Sequence, residues 1–442
     1  MKNDRLTFEK SIAFTQAIER RVPGGAHTYS KGRDQFPKQA PSGISRGAGA
    51  RVWDIDGNEL VDWSMGLTSV SLGHGYQPVV DRVSAVIQDG VNFQRPAALE
   101  LEAAESILSL TGGDMVKFAR HGSSVTTAAV KLSRGFTGRS KIAVPEDHPF
   151  FSFDDWFIGS TAADFGIPEA VKGFTVKFRY NDIESLHALF AEHRDEIACV
   201  MLEPVRFEPP ENGFLEAVRA LCDREGAVLV FDEMVTGLKI AVPGAGSYFG
   251  VVPDLSTWGK GIANGFAAAA LTGRGDILRL GGLEPEGARR LFLLSTTHGA
   301  ESVGLAAMMA TLDQFRDGRI VAENWTAGAD LRSRIDAIFA RYGLQDYLKL
   351  TGYPCLFLLE SAAPEGCDAM TFRTLLLQEL IAWGVLFQSL FVITPSHGPR
   401  EIEDTVSAFD RACEVYRQAV DARSVEGLLE GPAIKPVFRR TL

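Results

Sequence analysis

An aspartate ends one apolar run and a lysine lies among glycines 28 positions later: Asp232 in AVLVFDEMVTG and Lys260 in WGKGIANG. A primary amine can form an imine with an aldehyde cofactor, and a carboxylate can keep that cofactor's ring nitrogen protonated. Pyridoxal phosphate (PLP) chemistry cannot do without these two groups. Each also has a plainer reading, since an acid after a strand often caps a helix or pairs with a surface base, and a lone lysine is usually solvated. Against that, Trp258, Gly259, Gly261 and Gly265 around Lys260 suggest close backbone packing. The carboxyl end of a buried strand is also where ligands collect in open α/β sheets.

A second candidate lies upstream in MVKFARHGSSVTTAAVKLSRGFTGR, where an apolar run passes through Gly122, Ser123 and Ser124 into a helical pattern. Small residues at a helix start leave backbone N–H groups free for an anion, and serine hydroxyls add donors. A phosphate would sit well there, although a serine-capped helix start needs no ligand.

Positioning these groups requires a scaffold, and the chain reads as one. MVKFA, KIAV, FTVKF, IACVML and AVLVF lack polar alternation, which predicts strands covered on both faces. LELEAAESILSL, IESLHALFAEHR and FLEAVRALCDREG between them have helical spacing. The result is an α/β pattern with a mostly parallel sheet flanked by helices. RVWDIDGNELVDW reads as a hairpin around Asp56-Gly57, and the chain after about residue 310 as long helices around short strands such as CLFLLE. Residues 1–70 and 310–442 are thus expected to build a smaller α+β domain, with 71–309 as the large cofactor-binding domain. GAGSYFG, at 244–250, reads as a turn.

Composition narrows the function. The 442 residues are 45% hydrophobic and 23% charged with a net charge of -11, which disfavours general nucleic-acid binding and favours small-molecule partners. Five scattered cysteines without CxxC spacing fit reduced, buried thiols, and no HExxH-like motif suggests a metal. MKNDRLTFEK lacks the apolar stretch of a signal peptide and no run reaches membrane-spanning length, so a cytoplasmic protein is expected.

LVFDEMVTGLKIA…GVVPDLSTWGKGIANG resembles the signature of class III aminotransferases. With RVPGGAHTYSKG, VWDIDGNELVDW, SLGHGYQPVV, HGSSVTTAAVKLSRGFTGR, MLEPV and STTHGAESVGLAA, nearly the whole chain is similar to the glutamate-1-semialdehyde aminomutase-like branch. The resemblance implies the fold-type I architecture of PLP enzymes and a homodimer with shared active sites. It matches Lys260 to the Schiff-base lysine and Asp232 to the partner of the pyridine nitrogen. Gly122 and Ser123, with Ser124, fall in the phosphate loop, and Thr297 matches the threonine that reaches the phosphate from the other subunit. Glu203 of MLEPV counts among the cofactor-binding residues. Met234 falls where relatives usually place a valine against one ring face. Phe150 takes the stacking position on the other face, with Phe151 in place of the family's histidine.

Three departures bear on substrate. Ser124 stands where many relatives have glutamate, Gly66 and Leu67 replace a Ser-Trp pair, and Lys31, with Arg33 nearby, replaces the arginine that grips the substrate carboxylate. A lysine is a point charge where arginine is a planar fork. His27, Tyr29, Lys31, Arg120 and His121 are the candidate substrate residues, although such neighbours can equally be surface groups. The expected activity is amino transfer between an amino donor and an aldehyde or keto acceptor, bulkier, sugar-like or carboxylate-bearing. The alternative is an intramolecular aminomutase acting on glutamate-1-semialdehyde or a similar compound. Decarboxylation and racemisation use the same apparatus. A silent binding protein of the same fold would be expected to have lost the lysine or the acid.

Overall fold

The computed structural model describes residues 5–146 and 150–440. The chain divides into two compact units. One takes the chain up to Leu67, Leu72–Tyr76 and Ala322–Val437; the other takes Thr68–Ser71, Gln77–Val321 and the chain from Phe438 on.

In the first unit, β1 (Ile44–Ala48), β2 (Arg51–Asp54) and β3 (Glu59–Asp62) form an antiparallel meander. The β2–β3 connection runs through Asp56 and Gly57, whose φ of +90° favours glycine. This is the expected hairpin.

The second unit is built on a seven-stranded sheet: β4 (Met115–Ala119), β5 (Lys141–Pro145), β6 (Thr175–Phe178), β7 (Ile197–Leu202), β8 (Val228–Asp232), β9 (Leu255–Trp258) and β10 (Ala269–Gly273), in the order β4-β10-β9-β8-β7-β5-β6. Only β10 runs against its neighbours. The central strands are covered on both faces. Cys199 and Met201 of β7 pack with Val125, Ala128 and Leu132 of the helix Gly122–Thr137. Val200 and Leu202, pointing the other way, pack with Leu186 and Phe190 of Ile183–Glu192 and with Val218 and Leu221 of Phe214–Glu225. MVKFA differs from its reading: as β4 it is an edge strand with residues alternately exposed and half-buried. GAGSYFG also differs, because Ala245–Phe249 is one turn of α-helix.

The first unit resumes with β11 (Leu348–Tyr353), β12 (Leu356–Ser361), β13 (Val385–Leu386) and β14 (Leu390–Val392). β13 joins β3 in parallel, and β11-β12-β14 make a separate sheet. The helices Ala369–Ala382 and Pro399–Ala422 cover this core. Four cysteines are buried and Cys367 is half-buried; all five are free. Among the described residues no helix is long and apolar enough to cross a membrane.

Candidate active site

β7, β8 and β9 are adjacent and parallel, so their carboxyl ends share one edge of the sheet, and Glu203, Asp232 and Lys260 lie at or just beyond these ends. β4 runs the same way, being antiparallel to β10, which is antiparallel to β9; its exit leads through Arg120 and His121 into the helix Gly122–Thr137.

Asp232 is buried and held by one oxygen. Its Oδ1 accepts from the backbone N–H of Met234 at 3.0 Å and from Thr257 Oγ1 at 3.1 Å, while Oδ2 accepts from no described residue. Burial foremost, and the Glu203 charge after it, push the Asp232 carboxyl up to about 7. Burial likewise raises Glu203, against the pull of Lys260.

Protein surrounds Lys260 closely enough that burial lowers its ammonium pKa despite Glu203 and Asp232, yet its side chain keeps accessible surface. Protein groups desolvate the amine while part of the residue stays open to solvent. The backbone at Lys260 is left-handed, φ +46°, a costly conformation for a non-glycine residue that is characteristic of functional turns. Asn264 and Ser71 hold that turn: Ser71 N–H donates to Asn264 Oδ1 at 3.0 Å, and Ser71 Oγ donates to the Gly261 carbonyl at 2.6 Å.

Met234 is the contact that gathers the pieces. A Cβ added at Gly122 would come 2.9 Å from its sulfur, and one at Gly259 would come closer still. The helix start, the aspartate turn and the residue before the lysine therefore meet around one thioether. The phosphate candidates differ in surroundings: Ser123 is buried and its Oγ accepts from Phe153 N–H at 3.1 Å, whereas Ser124 is half-buried with its Oγ 3.1 Å from His121 Nδ1. Thr126 adds a second tie to the aromatic segment, donating to the Phe151 carbonyl at 2.8 Å. Phe150 is 49% exposed and Phe151 only 3%, so Phe150 is the ring with a free face.

Lys260, Asp232, Glu203, Met234, Gly122 and Ser123 thus belong to one neighbourhood of the second unit. Arg120 and His121 immediately precede the helix and are exposed. Thr297 is exposed in the same unit, while His27, Tyr29 and Lys31 are exposed on and beside a short 3-10 turn of the first unit. Sequence reasoning missed Thr257, legible only through the β8–β9 register that sets it opposite Asp232. It also missed Ser71 and Asn264, which carry no motif of their own.

The residues fit PLP: an uncommitted carboxylate oxygen, a partly accessible amine whose pKa burial lowers, and a glycine-serine helix start stand together. The sequence profile of class-III aminotransferases matches residues 34–352. The chain belongs to this family. It is therefore a PLP-dependent enzyme of fold type I. A glutamate-1-semialdehyde 2,1-aminomutase 2 of Bacillus licheniformis is 30% identical over 92% of this chain and 98% of its own length. A glutamate-1-semialdehyde 2,1-aminomutase of Caldicellulosiruptor saccharolyticus is 32% identical over 71% of this chain and 74% of its own. A solved transaminase with PLP bound superposes with a TM-score of 0.86 at 26% identity, over 94% of this chain and all of that one.

Proposed function

We propose that this class-III enzyme transfers an amino group from an amino donor to a separate aldehyde or keto acceptor, with Lys260 as the amine that carries the cofactor and moves the proton. Asp232 Oδ2 would face the ring nitrogen, and Met234 and Phe150 the two ring faces. Gly122 and Ser123 would meet the phosphate, with Ser124 beside them and Glu203 beside Lys260. Bound there, PLP supplies an electron sink when a bond at the donor's α-carbon breaks. Asp232 keeps the ring protonated, since a cation on Oδ2 draws its carboxyl towards the ionised form. Lys260 Nζ, whose hold on a proton burial weakens, would be the base that takes the α-proton of the donor and the acid that returns it. His27, Tyr29, Lys31, Arg120 and His121 are the polar groups proposed to orient substrate.

A homodimer completes this reading, with Thr297 reaching the phosphate of the partner subunit's site. Leu283 and Phe292, 81% and 68% exposed in the stretch before Thr297, are apolar groups such a partner would cover. Sedimentation of the holoenzyme as a monomer would contradict it. A cytoplasmic setting fits the reduced cysteines.

The observation that carries the proposal is the uncommitted Asp232 oxygen on the same sheet edge as the depressed Lys260 amine. Lys260→Ala should abolish the visible absorption of the lysine-linked cofactor and lower turnover by roughly 10²–10⁴-fold. Normal absorption together with normal turnover would refute it.

An intramolecular aminomutase remains the second reading, favoured by a full-length relative of that name. Supplied with donor alone, a transaminase makes one equivalent of keto product per chain and stops. An aminomutase isomerises its substrate through many turnovers without added acceptor.

A further inference from the structure

Two arginines of the first unit, Arg51 buried and Arg373 half-buried, stand in opposite circumstances. Arg51 is ringed by carboxylates, with Glu59, Glu401 and Asp404 at 2.9, 2.7 and 2.6 Å. Arg373, on the helix Ala369–Ala382, has none among the described residues. Its Nη2 donates to Ser389 Oγ at 2.7 Å and reaches the Gln388 carbonyl at 3.5 Å, while Nε is buried without a partner among the described residues. Burial lowers this guanidinium's pKa, and no acid among the described residues raises it. A desolvated cation without a counter-charge is costly, and an anion that supplies one is correspondingly stabilised there.

Arg373 also lines a cavity of about 210 Å³. Lys435 and the amides of Gln35 and Gln388 share its wall with the apolar side chains of Met370 and Leu377. The two amides fix the wall, Gln35 Nε2 donating to the Lys435 carbonyl at 2.9 Å and Gln388 Nε2 to the Ser30 carbonyl at 2.7 Å. The volume lies below the roughly 300–1,000 Å³ of drug-sized sites, so the occupant has only a handful of heavy atoms. A planar guanidinium suits a carboxylate, and the mixed wall suits a short hydrocarbon tail.

We propose that this cavity binds a small aliphatic carboxylate, its charge on Arg373 and Lys435 and its chain against Met370 and Leu377. The carboxylate can belong to a reacting amino acid or to a non-reacting effector. The site itself does not depend on the role given to Lys260.

The test is calorimetric titration of the PLP-loaded protein with butyrate, with n-butylamine as the cation of matched size. Butyrate should bind and n-butylamine should not. Arg373→Gln should weaken butyrate by about ten- to a hundredfold, as for loss of a charge-assisted hydrogen bond. Met370→Trp, which fills the cavity and keeps the charge, should block binding too. Lys260→Ala should still bind butyrate, which separates this proposal from the catalytic one. If the occupant is the reacting amino acid, Arg373→Gln raises KM for amino-acid donors and leaves that for simple amines unchanged. If it is an effector, both KM values stay and the influence of butyrate on turnover disappears. Failure of the wild type to bind butyrate, or wild-type affinity in both cavity variants, overturns the proposal.

Discussion

Two buried carboxylates stand side by side at the end of β8, and the fold binds them differently. Glu233 is committed: it accepts from Ala245 N–H at 2.9 Å, from Gly246 N–H at 2.7 Å and from the Thr236 hydroxyl, and its carboxylate sits where a Cβ on Gly244 would have to go. Asp232 is held by Oδ1 alone and keeps Oδ2 uncommitted. Burial raises the pKa of both, so neither burial nor the shift separates the structural acid from the one proposed to do chemistry. The difference lies in the hydrogen-bonding capacity left after the fold is satisfied.

The comparison breaks if the two acids respond alike to substitution. Asp232→Asn keeps the size and removes the charge, and should lower kcat by roughly 10²–10³-fold, the scale of losing one preorganised electrostatic contact. Stopped-flow or steady-state turnover of the PLP-loaded protein measures it. Glu233→Ala should behave oppositely, with kcat of the folded fraction close to wild type and a loss of stability. The two backbone N–H groups it orphans cost about 1–3 kcal/mol each, read from denaturant unfolding.

The pH dependence sharpens the contrast. The folded Asp232 carboxyl, at about 7, holds its proton more tightly than the unfolded one, near 3.8. Between those values the folded state binds more protons, so stability from this group is full below about pH 4 and is lost as pH rises towards 7. Unfolding of cofactor-free wild type should therefore show a decline across that window that Asp232→Asn lacks, on the order of a few kcal/mol at most. Parallel curves for the two proteins would mean that Asp232 is not the group that titrates.

Much of this was legible in the chain. The uninterrupted apolar runs IACVML and AVLVF lie at the centre of the sheet, and the glycines around Lys260 mark a packed turn. β9 and β10 were not read, because LSTW and AALTG are short, small and partly polar and gain their strand character only by pairing between β8 and β4. MVKFA looked like a covered strand since its one lysine is a weak alternation signal, yet at the sheet edge that lysine faces outward. Thr257 and Ser71 escaped because hydrogen bonds across strands and to turns depend on register, which no local pattern carries. The Glu233 anchor escaped for a related reason: its partners lie a dozen residues ahead, in a segment read as a turn.

The smallest effect concerns the aromatic segment. Ser123 and Thr126 pin the backbone of Phe151 and Phe153, so the register of the neighbouring rings is set by the same helix start that is proposed to meet the phosphate. Phe151 is sealed and packs edge-on against Phe157 at 5.5 Å, whereas Phe150 meets Phe157 at 6.0 Å and keeps half its surface free. Phe150→Leu retains an apolar side chain and removes only the π-face, so the expected loss is that of a stacking contact, about 0.5–1.5 kcal/mol, or two- to tenfold in PLP affinity. Melting temperature should hardly move, because the site is half exposed. Unchanged PLP affinity, measured by fluorescence titration of the cofactor-free protein, would remove Phe150 from the ring face and leave that side of the cofactor to another group.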